Sequence, residues 1–377
     1  MTINFSNRLT SRAIPGTTAL ETVRSGGQYA VEICTDQCEW NSFIQRNDGP
    51  VYTHWSWGEA VASYGHDFWP LVAREETTDA IAAALPVCHI ESRLFGSQLL
   101  SPAFAERGAV VLDTDDRPTE AKRLLLDQTK QLADDLDVDF VSLRGAQGGD
   151  AAGFTVKNRY VTFQIPVRKG METTWGGVRD SRQRQINQAA DDDSLQLQVG
   201  NSRADLKQYY CLYLQTMHRH GSPPHSFDFF KLLWNRLYDE GKFRLSLIFH
   251  EGSPINGMID LSLGSTVYQW GVVNDYEHRD CNGGSLLLWK SMEWAAENGY
   301  ETYELGRTRE GSGVYMFKKS FGGDKVWYDD MHYFPKREVA LPDPQNSKYE
   351  RASEIWKRLP LPVTRMVGPH VRKRIGI

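Results

Sequence analysis

Residues 283–323 read GGSLLLWKSMEWAAENGYETYELGRTREGSGVYMFKKSFGG. Ser285 as N-cap and Gly299 just past the end bound a helix with apolar residues at helical spacing. ETYELGR then reads as a strand, the polar loop around Arg309 and Gly311 follows, and VYMFKKSFGG is a short helix stopped by Gly322-Gly323. Upstream stand KFRLSLIFHEG (242–252), PINGMIDLSLGS (254–265) and TVYQWGVVN (266–274). Their short glycine-containing turns predict an antiparallel meander, and the strand at 301–307 must lie beside it. ADLKQYYCLYLQTMHRHG closes at Gly221, and SFDFFKLLWNRLYDEG starts at the N-cap Ser226; both predict helices. TTWGGVRDSRQRQINQAADDD predicts one basic-polar helix.

The N-terminal half repeats this grammar. QYAVEICT, FWPLVARE and IAAALPVCHIES are strands, the last running into a Gly/Ser/Pro loop. TEAKRLLLDQTKQLADD (119–135) is a helix with Thr119 as N-cap, and DFVSLRG and YVTFQIPV are further strands. Neither half alternates strand and helix as a parallel sheet would require, so the class is α+β with two similar-sized domains. The 377 residues, at about 150 per domain, fit that count. With 40% hydrophobic residues, 16 Phe, 16 Tyr and 11 Trp there is material for a sizeable core, which excludes global disorder. No apolar run is long enough to span a membrane, and the start lacks the pattern of a secretory signal. Five scattered cysteines (34, 38, 88, 211, 281) are expected as free thiols of a reducing cytoplasm.

The net charge of −5 is unevenly spread. From Pro344 onward eight basic residues face only Glu350 and Glu354, a surplus of six, which leaves −11 on the rest. Such a tail suits RNA or a phospholipid surface. Equally, it can pack back through Ile355, Trp356, Leu359 and Leu361 with its charges solvated.

Three places could carry chemistry. The loop DYEHRDCNGGS opens onto the 285–298 helix, where backbone N–H groups and the dipole suit a phosphate or carboxylate; Asn282, Gly283, Gly284 and Ser285 are the donor-binding candidates. The bland reading is a tight turn of permissive residues. At the end of the 301–307 strand, Arg307 and Arg309 can grip an oxyanion, and Lys318 can place positive charge where a carbonyl becomes an oxyanion. As lysines go, Lys318 and Lys319 fit a wet helix face as readily. Arg179, Arg182 and Arg184 form a basic segment for an anionic acceptor, or a solvated helix face. His218, His220 and His225 sit at a helix C-terminus, where histidine serves the dipole, so no metal site is expected. Cys281 has no His/Asn partner pattern of a nucleophile.

The order of landmarks resembles a known family: EWNSF, VYTHWSWGEAV, ALPVCHIESRLFGSQLLSPAF, VSLRG and TTWGGVRDSRQRQINQA, then FFKLLWNRL, NGMIDLSLGSTVYQWGVVN and the 283–323 stretch. The chain resembles FemAB-type proteins, relatives of the peptidoglycan interpeptide-bridge aminoacyltransferases. IWKRLPLPVTRMVGP is similar to the end of the FemAB-like proteins found beside exosortase and exopolysaccharide systems. The resemblance implies two tandem GNAT-like domains, each a mixed, mainly antiparallel sheet flanked by helices. The expected layout is an extension (1–27), domain 1 (28–165), the acyltransferase domain 2 (166–335) and a basic tail (336–377). It implies transfer of an acyl or aminoacyl group to an amine of a cell-envelope or polysaccharide precursor, with aminoacyl-tRNA or acyl-CoA as co-substrate and no tightly bound cofactor. The family lysine falls on Lys318. Arg279-Asp280-Cys281-Asn282-Gly283-Gly284 departs from the GNAT pyrophosphate pattern, lacking glycine at its fourth position, which mildly favours a tRNA donor. After Ile186, Asn187 and Gln188 stand where the family has basic residues. Acyl transfer needs a base, for which Glu304, Tyr315 and Asp260 are candidates, and Trp270 with Tyr268 could wall the donor channel. An acyl-CoA-dependent N-acetyltransferase acting on a small molecule or protein, and a non-catalytic binding member, are the alternatives. The expected setting is cytoplasmic, with the tail able to reach the inner face of the membrane.

Overall fold

The computed structural model describes residues 23–24, 28–92, 95–108, 110–116, 118–146, 153–339, 341 and 347–376. Arg93 and Leu94 of the family landmark, and all of the 1–27 extension except Val23–Arg24, lie outside the described residues. The chain forms two compact units: residues 1–159, 328–340 and 374–377, and residues 160–327 and 341–373. The units thus part at 159/160 rather than 165/166, and most of the tail belongs to the second.

The first unit holds strands β1 (Val23–Arg24), β2 (Tyr29–Ile33), β3 (Asp67–Glu75), β4 (Ile81–Ser92), β5 (Gly96–Ser101), β6 (Val111–Leu112) and β7 (Phe140–Ala146), with helices α1 (Gln37–Arg46), α2 (Trp55–Ala62) and α3 (Thr119–Asp135). Strands β1 to β5 pair antiparallel in sequence order, and β5 pairs parallel with β7. The parallel step is possible because α3 carries the chain across the sheet face, burying Leu125, Leu126 and Leu132 against Leu71, Leu85, Leu99 and Val141. GSQLLS is strand β5, not the loop expected there: Leu99 and Leu100 are fully buried and its backbone bonds both neighbours. Thr119 is the first residue of α3 rather than its cap; Pro118 precedes it and offers no side-chain bond. The WSWGEAVA helix is held by its indoles, Trp57 Nε1 donating to the Ala103 carbonyl at 2.9 Å.

The second unit holds β8 (Thr155–Ile165) from residue 160 onward, α4 (Met171–Gly177), α5 (Asp180–Ala190), β9 (Leu195–Gly200), α6 (Arg203–His220), α7 (Phe227–Leu237), β10 (Phe243–His250), β11 (Ser253–Leu263), β12 (Thr266–Asn274), α8 (Gly283–Glu297), β13 (Thr302–Glu304), α9 (Gly313–Lys319), the start of β14 (Asp324–Tyr333) up to residue 327, and the helices α10 (Ser347–Arg358) and α11 (Leu361–Arg372). β10 to β12 form the expected meander and β9 pairs antiparallel with β10; β13 joins β12 in parallel and β8 pairs antiparallel with β13. The single helix expected over 173–193 is two, α4 and α5, broken at Val178, whose extended backbone lets its side chain enter the core. α5 and α8 cover one sheet face; α6 and α7 cover the other with an aromatic cluster of Tyr209, Tyr213, Phe229 and Phe230. Ser202 and Asp205 make a reciprocal capping box on α6, and Gly221 ends it in the left-handed conformation. All five cysteines are thiols.

Within the tail, Ser347–Arg358 and Leu361–Arg372 are helical. α10 and α11 pack on α6, and Leu359 accepts a bond from His218 Nε2 at 2.8 Å through its carbonyl. Ile355, expected to pack inward, is 63% exposed.

Candidate active site

The parallel register of β12 and β13 ends at Tyr268–Glu304. Beyond it β12 continues to Asn274, whereas the chain after Glu304 turns to β8: Leu305 N–H donates to Phe163 O at 3.0 Å, and Thr308 exchanges bonds with Val161. The two strands therefore diverge from a vertex at Glu304. Within the diverging part, β12 is bulged at Trp270, which stands between the paired residues Gln269 and Gly271. Its β13-side edge has no strand partner there among the described residues, so an extended ligand can bond to it.

At the far end of β12 the loop leads to α8. Asn282 takes a left-handed conformation (φ 57°), and no side chain among the described residues caps the helix. Gly283 is required by packing, because a Cβ there would lie 2.2 Å from Asn256 Oδ1, while Asn256 Nδ2 donates to Asn274 Oδ1 at 2.8 Å. The helix start is thus pinned to the ends of β11 and β12. Its first-turn amides and dipole suit an anionic group. Ser285 is not the N-cap. It lies in the first turn, buried, and its Oγ accepts from Arg182 Nη1 at 2.7 Å.

That bond fixes how Arg182 is used. Its Nε donates to Ser320 Oγ at 2.9 Å, Nη1 also reaches Gln185, and the guanidinium lies 4.4 Å over the Phe317 ring. Arg182 ties α5, α8 and α9 together, and burial lowers its pKa. Arg184 is exposed on α5.

α9 is capped by Ser312, whose Oγ accepts from Tyr315 N at 3.1 Å. Lys318 is 8% exposed, and its Nζ donates to the carbonyls of Gly306 at 2.9 Å and Arg307 at 3.3 Å. Gly306 has φ 66°, the bend by which the chain leaves β13. The wet-face reading of Lys318 is thereby excluded; Lys319 is the exposed neighbour. Arg307 and Arg309 both stand on the Tyr160 ring, at 4.5 and 5.3 Å. Tyr315 is buried against Phe163, its hydroxyl 3.4 Å from Glu310. Glu304 is 1% exposed and accepts from Gln164 Nε2 at 3.0 Å. Trp270 leans on Phe230 and Phe229 of α7, and Tyr268 is buried.

Asp260 belongs to a different cluster. It accepts from the Tyr303 hydroxyl at 2.6 Å and faces Arg244, its cross-strand neighbour, at 4.0 Å. Burial raises its pKa to about 6, against the lowering effects of Tyr303, Arg244 and Ser291. Arg244 in turn lies 4.8 Å over Trp294 of α8. The structure thus gathers Glu304, Arg307, Arg309, Tyr315 and Lys318 around the vertex and the bend after it, with Asn282 to Ser285 at the end of β12. It sets Asp260 apart. Sequence reasoning missed Tyr160, Asn256, Arg244 and Tyr303. Strand alternation places Arg244 on the core-facing side of β10, a signal for a buried partner. Among the described residues no group of three His, Cys, Asp or Glu could hold a metal.

The wedge, bulge and helix start all fall within residues 177–319, which match the family model for an acetyltransferase (GNAT) domain. Residues 177–319 are thus similar to a GNAT acetyltransferase domain. No curated protein matches it in sequence. Among solved structures, that of FemX is 15% identical and covers 81% of this chain and 97% of its own, with a TM-score of 0.66. The structure of L-PGS from Bacillus licheniformis is 12% identical over 91% of this chain and 98% of its own, with a TM-score of 0.54. A tandem GNAT protein from the clavulanic acid biosynthesis pathway is 11% identical over 82% and 100%, with a TM-score of 0.52. These likenesses identify the fold as tandem GNAT across both halves of the chain.

Proposed function

We propose that the second unit transfers an aminoacyl or acyl group from a carrier ester or thioester to an amine of a cell-envelope or polysaccharide precursor. The observation that carries this reading is the buried Lys318, seated on the Gly306 and Arg307 carbonyls beside the vertex where β12 and β13 part. The donor lies extended along the free edge of β12, its phosphates at Asn282, Gly283, Gly284 and Ser285, with Trp270 marking the bulge. The acceptor nitrogen attacks the donor carbonyl. A C–N bond forms and the bond to the carrier oxygen or sulfur breaks, the carrier leaving with a proton. Glu304 takes the proton lost by the attacking nitrogen, and Tyr315 supplies a hydroxyl to the same path. Lys318 holds positive charge where the carbonyl oxygen becomes negative. Arg307 and Arg309 hold an anionic part of the acceptor, with Arg184 a further contact. Arg182 acts as a positioning residue between three helices, and Asp260 positions β13 through Tyr303.

Aminoacyl-tRNA is the favoured donor, because Asn282 stands where a pyrophosphate loop for acyl-CoA has its first glycine. Acyl-CoA is the second reading, favoured by the open first turn of α8. Calorimetry with charged tRNA, CoA and acetyl-CoA separates them. Binding of charged tRNA with indifference to CoA is the expected result, and tight CoA binding with indifference to tRNA overturns it. No described helix is long and apolar enough to cross a membrane. The reaction is placed in the cytoplasm, with the basic tail meeting the inner membrane face where a lipid-linked precursor is presented.

A further inference from the structure

α11 turns its polar and small residues inward and its apolar ones outward. On the inner side Thr364 is 1% exposed, Gly368 lies so close to Pro224 that a Cβ would stand 2.3 Å from its Cδ, and Arg372 Nε donates to His225 Nε2 at 3.1 Å. At 100° per residue, Val363, Met366 and His370 occupy the opposite side and Val367 lies on its flank. There Val363 is 36%, Met366 69% and Val367 38% exposed. α10 repeats the pattern. Its Ser353 side meets Gly221 of α6, and Ile355 points out at 63% exposure with Arg351 and Arg358 one turn to either side. Arg351, Lys357, Arg358 and Arg365 are exposed; the acidic residues are Glu350 and Glu354, and Glu354 pairs with Lys357 at 2.7 Å. A groove of about 600 Å³ between α6 and α11, lined by Cys211, Leu214, Leu361 and Met366, continues the apolar strip.

We infer that the outward faces of α10 and α11 are an interfacial anchor that docks on an anionic phospholipid bilayer, with Ile355, Val363, Met366 and Val367 entering the headgroup boundary and the arginines meeting lipid phosphates. This deepens, and rests on, the membrane part of the proposed function. Apolar side chains turned to water by an otherwise well-packed helix need a partner, and the basic rim selects which one. Each exposed arginine or lysine adds attraction to an anionic surface. A second copy of the same face would bring like charges together, which disfavours a dimer through it.

The test is flotation of the full chain with phosphatidylglycerol–phosphatidylcholine vesicles and with phosphatidylcholine vesicles alone, in the absence of donor and acceptor. Binding to the anionic vesicles only, weakened by added salt, is expected. I355D/M366D should lower it roughly tenfold or more, and R351Q/R365Q should lower it and flatten the salt dependence. All four side chains are exposed, and circular dichroism checks that each variant stays folded. Should the aspartate pair fail to fold, the glutamine pair decides. Binding that is absent, indifferent to lipid charge or unmoved by the variants overturns the inference, as does light scattering showing a dimer that M366D dissolves. Because neither donor nor acceptor is present, such a failure leaves the transfer reaction standing.

Discussion

Lys318 carries an ammonium out of water, which is tolerated because two main-chain carbonyls replace the lost solvent. Lys318→Met keeps the hydrophobic stem and removes the charge. If the ammonium stabilises the oxyanion, single-turnover transfer should fall about 10²- to 10³-fold with donor affinity little changed. An unaltered rate would remove Lys318 from the chemistry. Asp260 makes a different prediction. Its carboxyl, at about 6 in the fold against an ordinary 3.8, binds its proton more tightly folded than unfolded. Stability from this group is therefore full below about pH 4 and declines as pH rises toward 6, by an order of 3 kcal/mol at most. Asp260→Asn cannot titrate. Denaturant melts at acidic and neutral pH should show the wild type losing more stability than the variant as pH rises; parallel profiles would refute this.

In the proposed reaction α8 and β12 position the donor end. α8 begins at glycine because Asn256 occupies the space a side chain would need. Gly283→Ala should cost about 1–3 kcal/mol through that clash and weaken donor binding, read by calorimetry, because the helix start must move. On the other sheet face, Ser202 caps α6 far from the vertex. Ser202→Ala should cost about 1 kcal/mol in urea melts while the transfer rate per folded molecule stays the same. The pair separates a helix terminus that touches the donor from one that only holds the fold. β12 shows why the site is built on an element boundary. It pairs with β13 only as far as Tyr268, so its remaining residues keep free edge groups for a ligand.

Across the molecule, contacts distant in sequence close each unit. In the first, Arg144 is 4% exposed and its guanidinium donates to the carbonyls of Ala105 at 2.8 Å and Gly376 at 3.1 Å, the second 232 residues away. Truncation after Arg374 leaves that buried guanidinium short of an acceptor. A loss of about 1–3 kcal/mol is expected by thermal or urea unfolding, and an unchanged melt would show that the C-terminal residues add nothing to this unit. Charge is also distributed at this level: the tail's surplus of six basic residues is mounted on α10, α11 and the Lys373-Arg374 pair that follows, while the remaining chain is acidic.

The class, the meander, the helix stops at Gly221 and Gly299, and the Lys318 region were legible from local signals. Glycine where φ is positive, serine caps and alternating apolar residues act within a few positions of one another. Where competing local readings existed, packing chose. GSQLLS carries loop-forming residues, yet parallel pairing with β7 makes it a strand. Ser285 is a fit N-cap by type, yet Gly283 and Asn282 start the helix and leave the serine to Arg182. The Arg244–Asp260 pair illustrates the limit most clearly. Counting back from the turn at His250–Ser253 would place Arg244 opposite Ile259, but a bulge after Ile248 moves the register by one residue and brings Asp260 there instead. A one-residue shift exchanges sheet faces, and it arises from strand pairing rather than from either strand's own residues. Composition and pattern settled which segments form helices and strands. Which charges meet in the core, which lysine is buried, and which way the tail helices turn their apolar sides were decided by long-range packing.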